Sequence, residues 1–301
     1  MSGHLKEAIQ TMSTPAPIRR PRSMLFVSGE KVDRFAKAMA ADADLVCIDL
    51  EDAVHPDRKQ EARVQVLGWL KAQQAALAAA GQQVAIRVNG LRTEHGLRDL
   101  LALVDSGVTV DWLMLPKVED AADIQCVQAW AGAQIGAQGG IVALIETPLG
   151  IERAPAIARA GGRIAALMLG GADLSAELGA QFGWDGLLSA RGRLVNAARA
   201  AGVQAWDVPH VDIKNLDELS SETRKVLALG FDCKTAIHPT QIAVIHAAHA
   251  PTPAELAWAE LLVEAVPDGQ FSGAFLYQGR MVDAPLVRKA RRIVEIARAA
   301  N

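Results

Sequence analysis

The sequence predicts an α/β fold: a (β/α)8 barrel of the TIM type with a C-terminal helical appendage. Three observations predict it. Eight short apolar runs recur along the chain, each ending in polar residues. Each run is followed by a segment with the spacing of a one-faced helix. The runs are continuously apolar rather than alternating, which suits parallel strands buried on both faces. Eight such units in roughly 230 residues match the usual size of this barrel. The rival is an open doubly wound sheet, and no glycine-rich dinucleotide fingerprint follows the first strand to support it.

Residues 1–18 read as a loose arm, because Pro15 and Pro17 break any helix there. The barrel is assigned to residues 19–250. Its predicted strands are Ser23–Ser28, Leu45–Glu51, Val84–Asn89, Trp112–Lys117, Ile141–Glu146, Ile164–Gly170, Gln204–Val208 and Lys234–His238. Between them, Lys31–Ala41 places Val32, Phe35, Ala36, Met39 and Ala40 on one face. Gln60–Ala80 is built from Ala, Leu, Gln and Lys, all good helix formers, and Gly81 follows as a stop. Gly96–Val104, Ala121–Ala131, Gly150–Ala160, Leu187–Ala201, Leu216–Ala228 and Thr240–Ala250 read the same way. Residues 251–301 form the appendage: helical patterns at Pro253–Val266 and Ala284–Ala300 flank a Gly-rich strip, Gly269–Arg280.

Composition excludes several classes. The 301 residues are half hydrophobic and carry a net charge of −3, and this near-balanced charge argues against a nucleic-acid or membrane-surface partner. The N-terminal segment lacks the apolar core of a secretory signal, and no stretch approaches the roughly 20 apolar residues of a membrane span. Cys47, Cys126 and Cys233 lie far apart with no CxxC spacing, as in a reduced cytoplasmic protein.

In such a barrel the active site lies at the carboxyl ends of the strands. Those ends present Asp49, Glu51 and Asp52; Arg87 and Asn89; Lys117 and Glu119; Glu146; Asp173; Asp207 and His210; and His238. Plainer readings stand beside a catalytic one. A carboxylate after a strand often serves only as a helix cap. Asp173 is placed to cap a helix beginning near Leu174, and Glu146 precedes Pro148 in the same way. Asp49 and Arg87 could pair structurally, His238 before Pro239 could anchor a turn, and Lys117 and Glu119 could be solvated rim charges. Against these stands convergence, since Glu146 and Asp173 end adjacent strands on one rim. Two carboxylates with the remaining positions left to water and substrate are a common way to hold Mg2+. The thiolate and clustered histidine ligands of zinc are missing.

The chain resembles the citrate lyase β-subunit-like (CitE-like) family of the HpcH/HpaI aldolase / citrate lyase superfamily. The likeness is carried by Arg22–Gly29, Ile48–Val54, Arg87–Asn89, Leu115–Lys117, Ile145–Thr147, Gly170–Leu174, Lys234–Ile242 and Gly279–Pro285. It runs from about Arg20 to the C-terminus. The resemblance implies a Mg2+-dependent lyase that cleaves the carbon–carbon bond of a 3-hydroxyacyl-coenzyme A thioester such as malyl- or citramalyl-CoA. It implies Glu146 and Asp173 as metal ligands, with Glu146 beside the substrate, and Arg87 as the group that holds the substrate's oxygens. It implies Asp283 as an acid/base supplied by a neighbouring subunit of a homo-oligomer, a trimer or hexamer. Glu51 and Asp52 would lie near the metal's waters, and Arg34 and Lys37 near the coenzyme A phosphates. A thioesterase or condensing enzyme, and a carrier-dependent β subunit of a multi-protein citrate lyase, are the alternatives on this scaffold. The chain departs from the family at Ser28-Gly29, usually Pro-Gly; at Ala172, usually Glu; and at Cys233, usually Gly. Val208–Ser221, with Asp212, Lys214, Asp217 and Glu218, reads as a cover over the site.

Overall fold

The computed structural model describes residues 18–266 and 273–299; the predicted arm therefore lies almost wholly outside the described residues. Eight strands close into a barrel in chain order. They are β1 (Ser23–Ser28), β2 (Leu45–Asp49), β3 (Gln83–Arg87), β4 (Val110–Leu115), β5 (Ile135–Ile145), β6 (Ile164–Leu169), β7 (Gln204–Asp207) and β8 (Cys233–Ala236). The parallel pairs Ser23↔Lys234, Met24↔Thr235 and Leu25↔Ala236 complete the ring. The intervening helices are α1 (Phe35–Met39), α2 (Lys59–Ala79), α3 (Glu94–Ser106), α4 (Ala121–Ala131), α5 (Pro148–Ala158), α6 (Gly171–Leu178), α7 (Trp184–Ala201), α8 (Leu216–Leu229) and α9 (Thr240–His249).

Two apolar layers explain the continuous runs. Met24, Leu45, Cys47, Met114, Met168 and Cys233 fill the barrel interior around Trp112 and Trp206, whose rings lie 5.0 Å apart. Both indole N–H groups find partners: Trp112 donates to Gln83 Oε1 at 2.9 Å and Trp206 to Gln204 Oε1 at 3.2 Å. The opposite strand faces, among them Leu25, Ile48, Ile86, Leu113, Ile145 and Leu167, pack beneath the helices. Cys233 thus contributes its sulfur to the packing of the barrel interior.

Three local features differ from the sequence reading. The predicted helix Lys31–Ala41 is a 3-10 turn over Val32–Arg34 and then the short α1, because Lys31 brings no capping side chain and Asp42 turns the chain with a φ of 56°. β5 begins six residues earlier than Ile141 although Gly136–Gly140 is poorly apolar. There the glycines let neighbours approach: a Cβ at Gly139 would strike the Asp111 backbone, and one at Gly140 would strike Ala165 and the Arg163 carbonyl. The helix expected from near Leu174 is α6, which starts three residues earlier, at Gly171, directly after β6.

The chain divides into two compact units at Ile245/His246, inside α9. Within the second, α10 (Pro253–Ala265) starts from a Thr252/Glu255 capping box. A hairpin of β9 (Phe275–Tyr277) and β10 (Arg280–Val282) turns at Gln278 and Gly279, with φ of 47° and 76°. α11 (Ala284–Ala299) follows. Ala259, Leu262, Val282, Val287, Ala290 and Val294 make this unit's own core. No helix among the described residues is long and apolar enough to cross a membrane.

Candidate active site

β5 delivers Glu146 to the barrel mouth. The next residue, Thr147, caps α5 by accepting the Gly150 N–H at 3.0 Å. Glu146 is therefore not the cap that the Pro148 spacing allowed. Its side chain is buried, at 5% exposure. Oε1 accepts the Lys117 backbone N–H at 2.7 Å. That N–H is aimed by an unusual turn after β4, where Lys117 has a φ of 53°. Gly170 closes over the other side, and a Cβ there would overlap Glu146 Cβ and Oε2. Burial pushes the Glu146 carboxyl up to about 8, and the Glu51 charge adds to the rise.

Asp173 sits in the first turn of α6 and does not cap it. The N-cap is Gly170, and no side chain makes a capping bond there. Instead Asp173 Oδ2 lies 3.0 Å from Lys117 Nζ. The same ammonium is 2.9 Å from Glu51 Oε1 and 4.0 Å from Glu146 Oε1. Lys117, read from the sequence as a possible rim charge, thus lies among three of the carboxylates at the mouth.

Asp49 and Arg87 are register partners on β2 and β3. They form a bidentate pair, with Arg87 Nε 2.7 Å from Oδ1 and a terminal nitrogen 2.6 Å from Oδ2. Asp49 also accepts the N–H groups of Glu51 and Ala53 at 2.9 and 3.0 Å, so it shapes the loop after β2. Arg87 reaches Glu51 at 3.0 Å and Asp52 at 3.6 Å, and its guanidinium lies 5.2 Å from the centre of the Phe26 ring. Burial works against the charge on Arg87, but Asp49, Glu51 and Asp52 outweigh it and hold the guanidinium protonated. Burial pushes the Glu51 carboxyl above its ordinary range, although Arg87 and Lys117 pull it down. Glu51 Oε2, close to Arg87 but out of line, has no hydrogen-bond partner. Beneath the loop, buried Lys59 donates to the Leu50 and Glu51 carbonyls at 3.0 and 2.6 Å.

The mouth therefore holds five carboxylates, Asp49, Glu51, Asp52, Glu146 and Asp173, against three cations, Arg87, Lys59 and Lys117. Counted as fully ionised, the acids exceed the cations by two, a surplus that a divalent cation with oxygen ligands would offset and that, unfilled, adds to the rise of Glu146. Among the described residues no three His, Cys, Asp or Glu side chains gather closely enough to hold a metal alone. Glu146 and Asp173 could provide two ligands and leave positions for water and substrate.

Two cavities meet here. One, of about 330 Å³, is lined by Asp49, Asp52, Arg87, Glu146 and Asp173 on one side. Phe26, Leu144, Met168, Phe182, Val208 and Ile237 make an apolar wall, and Val211 also lines it. Val208, Pro209 and Val211, from the segment read as a cover, thus border the cavity, while the later part of that segment begins α8. The other cavity, of about 660 Å³, shares Phe26 and Ile237 and is bordered by Lys31, Arg34, Lys37 and His238. Arg34 and Lys37 are thus joined by Lys31, which sequence reasoning passed over as the start of a helix.

The remaining strand-end residues serve structure. Asn89 donates to the Leu50 carbonyl and Asp99, and Glu119 pairs with Arg92. His238 Nδ1 meets Thr240 Oγ1 at 2.8 Å, as a turn anchor does. Asp207 points out of the barrel into a buried network with Arg191 and Lys234, and His210 pairs with Glu222 of the same network. Asp283, in the second unit, accepts the Leu286 N–H at 3.2 Å through Oδ1 at the start of α11.

Residues 22–239 match the model of the family described as HpcH/HpaI aldolase/citrate lyase. The citrate lyase subunit beta of Haemophilus influenzae is 35% identical over 288 residues, covering 92% of this chain and 97% of that one. The mitochondrial citramalyl-CoA lyase of Rattus norvegicus is 31% identical over 293 residues, covering 92% and 86%. A crystal structure of protein CitE from Mycobacterium tuberculosis in complex with magnesium, acetoacetate and coenzyme A superposes with a TM-score of 0.78. It is 33% identical, over 92% of this chain and 98% of that one.

Proposed function

The chain belongs to the HpcH/HpaI aldolase/citrate lyase family, and we propose that it is a Mg2+-dependent carbon–carbon lyase acting on a 3-hydroxyacyl-coenzyme A thioester. The observation that carries this reading is the formal surplus of carboxylates over cations at the mouth, in a cavity with an apolar wall that shares Phe26 and Ile237 with a basic one. Glu146 and Asp173 would hold the metal. When bound, Mg2+ supplies Lewis acidity and a template for the substrate's hydroxyl and carboxylate oxygens. Arg87, locked by Asp49, presents fixed positive charge where an oxyanion develops. Asp283 of a neighbouring subunit would take the 3-hydroxyl proton. The C2–C3 bonding pair then moves toward the thioester carbonyl, and C2 is reprotonated to give acetyl-coenzyme A and a 2-oxo acid. Glu51, held between Arg87 and Lys117, and Asp52 would order water beside the metal. Arg34 and Lys37, with Lys31, would take the coenzyme A phosphates. The in-trans role of Asp283, and with it a trimer or hexamer, is supported by the family resemblance. The free state of Cys47, Cys126 and Cys233 supports a reducing, cytoplasmic location.

The acyl cavity favours a 2-oxo acid with one carboxylate. Arg87 is its one lining cation among the described residues, and carboxylates and apolar side chains make up most of the rest. A second substrate carboxylate, as in a citryl thioester, would meet Asp52 or the apolar wall. Malyl- and citramalyl-CoA are therefore the preferred substrates. The test is incubation of the pure protein with malyl-, citramalyl- and citryl-CoA, with Mg2+ or EDTA, read by mass spectrometry. The expected result is two acyl fragments from the first two, only with Mg2+. Intact hydroxy acid with free coenzyme A would replace this reading by the thioesterase, and inertness toward all three by the carrier-dependent subunit.

A further inference from the structure

The backbone and the side chain of Lys117 are held in different ways. The backbone is fixed: its N–H donates to Glu146 Oε1 at 2.7 Å, and the Val118 N–H donates to the Leu144 carbonyl at 3.2 Å. The side chain is held by charge. Its ammonium is 2.9 Å from Glu51, 3.0 Å from Asp173 and 4.0 Å from Glu146, all carboxylates. Lys59 makes the contrast, since it is buried and bonded to two backbone carbonyls, where nothing could replace it. Lys117 is 46% exposed in its side chain, on a flexible four-carbon stem with open solvent at hand.

From this we propose that the Lys117 ammonium and the divalent metal are alternative occupants of the barrel mouth. The lysine gathers Glu51, Asp173 and Glu146 in the metal-free enzyme and withdraws from Asp173 and Glu146 when the metal enters. The inference rests on the reading of Glu146 and Asp173 as metal ligands. Metal–oxygen bonds of about 2.0–2.1 Å draw the two carboxylates onto the metal. An ammonium left at contact distance from both would then face a doubly charged cation across a few ångströms of partly buried space. Withdrawal relieves that repulsion without moving the strand, because the Lys117 backbone keeps its bond to Glu146. The lysine thereby prevents mutual repulsion from splaying the carboxylates before loading, at the expense of metal affinity.

The test is titration calorimetry of Mn2+ and Mg2+ binding to wild type, Lys117→Met and Lys117→Gly. The glycine variant keeps the N–H to Glu146 and accepts the left-handed φ freely; the methionine variant keeps the stem volume. Exchange predicts that both variants bind metal more tightly, by roughly tenfold, because no ammonium has to be displaced or repelled. It also predicts a larger metal-induced rise in melting temperature than in wild type, because the metal-free variants lose the ammonium while the loaded forms do not. Unchanged or weaker affinity in both variants overturns the exchange and leaves Lys117 as a fixed positioning residue. Absence of metal binding by the wild type would instead overturn the ligand assignment of Glu146 and Asp173.

Discussion

Two networks of carboxylates and cations lie at strand ends of this barrel, and they differ in charge balance and in exposure. Around β7 and β8, Asp207 and Glu222 meet Arg191 and Lys234 at 2.7–3.3 Å for their closest contacts, two charges of each sign. Burial would push both carboxyls up, but Lys234 and the other partners outweigh it and hold them below the ordinary carboxylate range. At the mouth five carboxylates face three cations, and Glu51 and Glu146 are pushed up instead. The β7/β8 network is buried, Glu222 alone being partly exposed, whereas Asp52, Lys117 and Asp173 at the mouth are 60%, 46% and 42% exposed in their side chains. Charge balance and exposure together separate a strut from a site: the balanced, buried network is satisfied by the protein itself, and the unbalanced, partly open one has capacity left for a cation and a substrate.

The contrast is broken most directly at Glu146. Glu146→Gln removes a charge from the side that already has a surplus. The fold should survive, with a melting temperature at or above that of metal-free wild type, while turnover of the preferred thioester falls by roughly a thousandfold or more. A variant that unfolds would show Glu146 to be a strut. The mirror experiment is Asp207→Asn, which leaves Lys234 and Arg191 with one carboxylate between them. It should destabilise the protein by about 3–5 kcal/mol in denaturant unfolding, with kcat per folded molecule retained. The same network predicts acid sensitivity. Carboxyls held low in the native state contribute stability that is fully present above the unfolded value of about 4 and is lost as pH falls through the lower native values. Unfolding midpoints measured downward from pH 5 should therefore fall in wild type, and fall less in Asp207→Asn.

Smaller effects sharpen the comparison inside the mouth. Arg87→Lys keeps the charge and loses the planar fork that Asp49 grips, so kcat should drop by about a hundredfold with little change in stability. The smallest effect is expected in the basic cavity. Arg34→Gln and Lys37→Gln remove exposed charges, each worth about 1 kcal/mol or less. KM for the coenzyme A thioester should rise severalfold while kcat holds, and added salt should narrow the difference.

Much of this was legible in the sequence, and the exceptions share causes. The strand ends named Glu146, Arg87, Glu51, Asp52 and Asp173 because parallel strands point their carboxyl ends to one rim. Lys117 was passed over because a lysine two residues after a strand reads as a solvated charge; its left-handed φ and the 29 residues separating it from Glu146 are invisible to local spacing. Asp207 drew attention as another strand-end acid, but alternation sets Trp206 inside the barrel and Asp207 outside, against α7. The early start of β5 was missed because close approach of neighbours at its glycines, rather than propensity, builds it.

By itself the sequence determined the barrel, the rim and the oxygen-rich chemistry of the mouth, because apolar period and strand polarity are local and repeat eight times. Only the tertiary structure decided which acids are balanced and which are not. Charge balance depends on partners brought together from distant segments, such as Arg87 on Asp49 and Lys117 among Glu51, Glu146 and Asp173. Coulomb energies in a buried site follow distance in space, which sequence separation does not record.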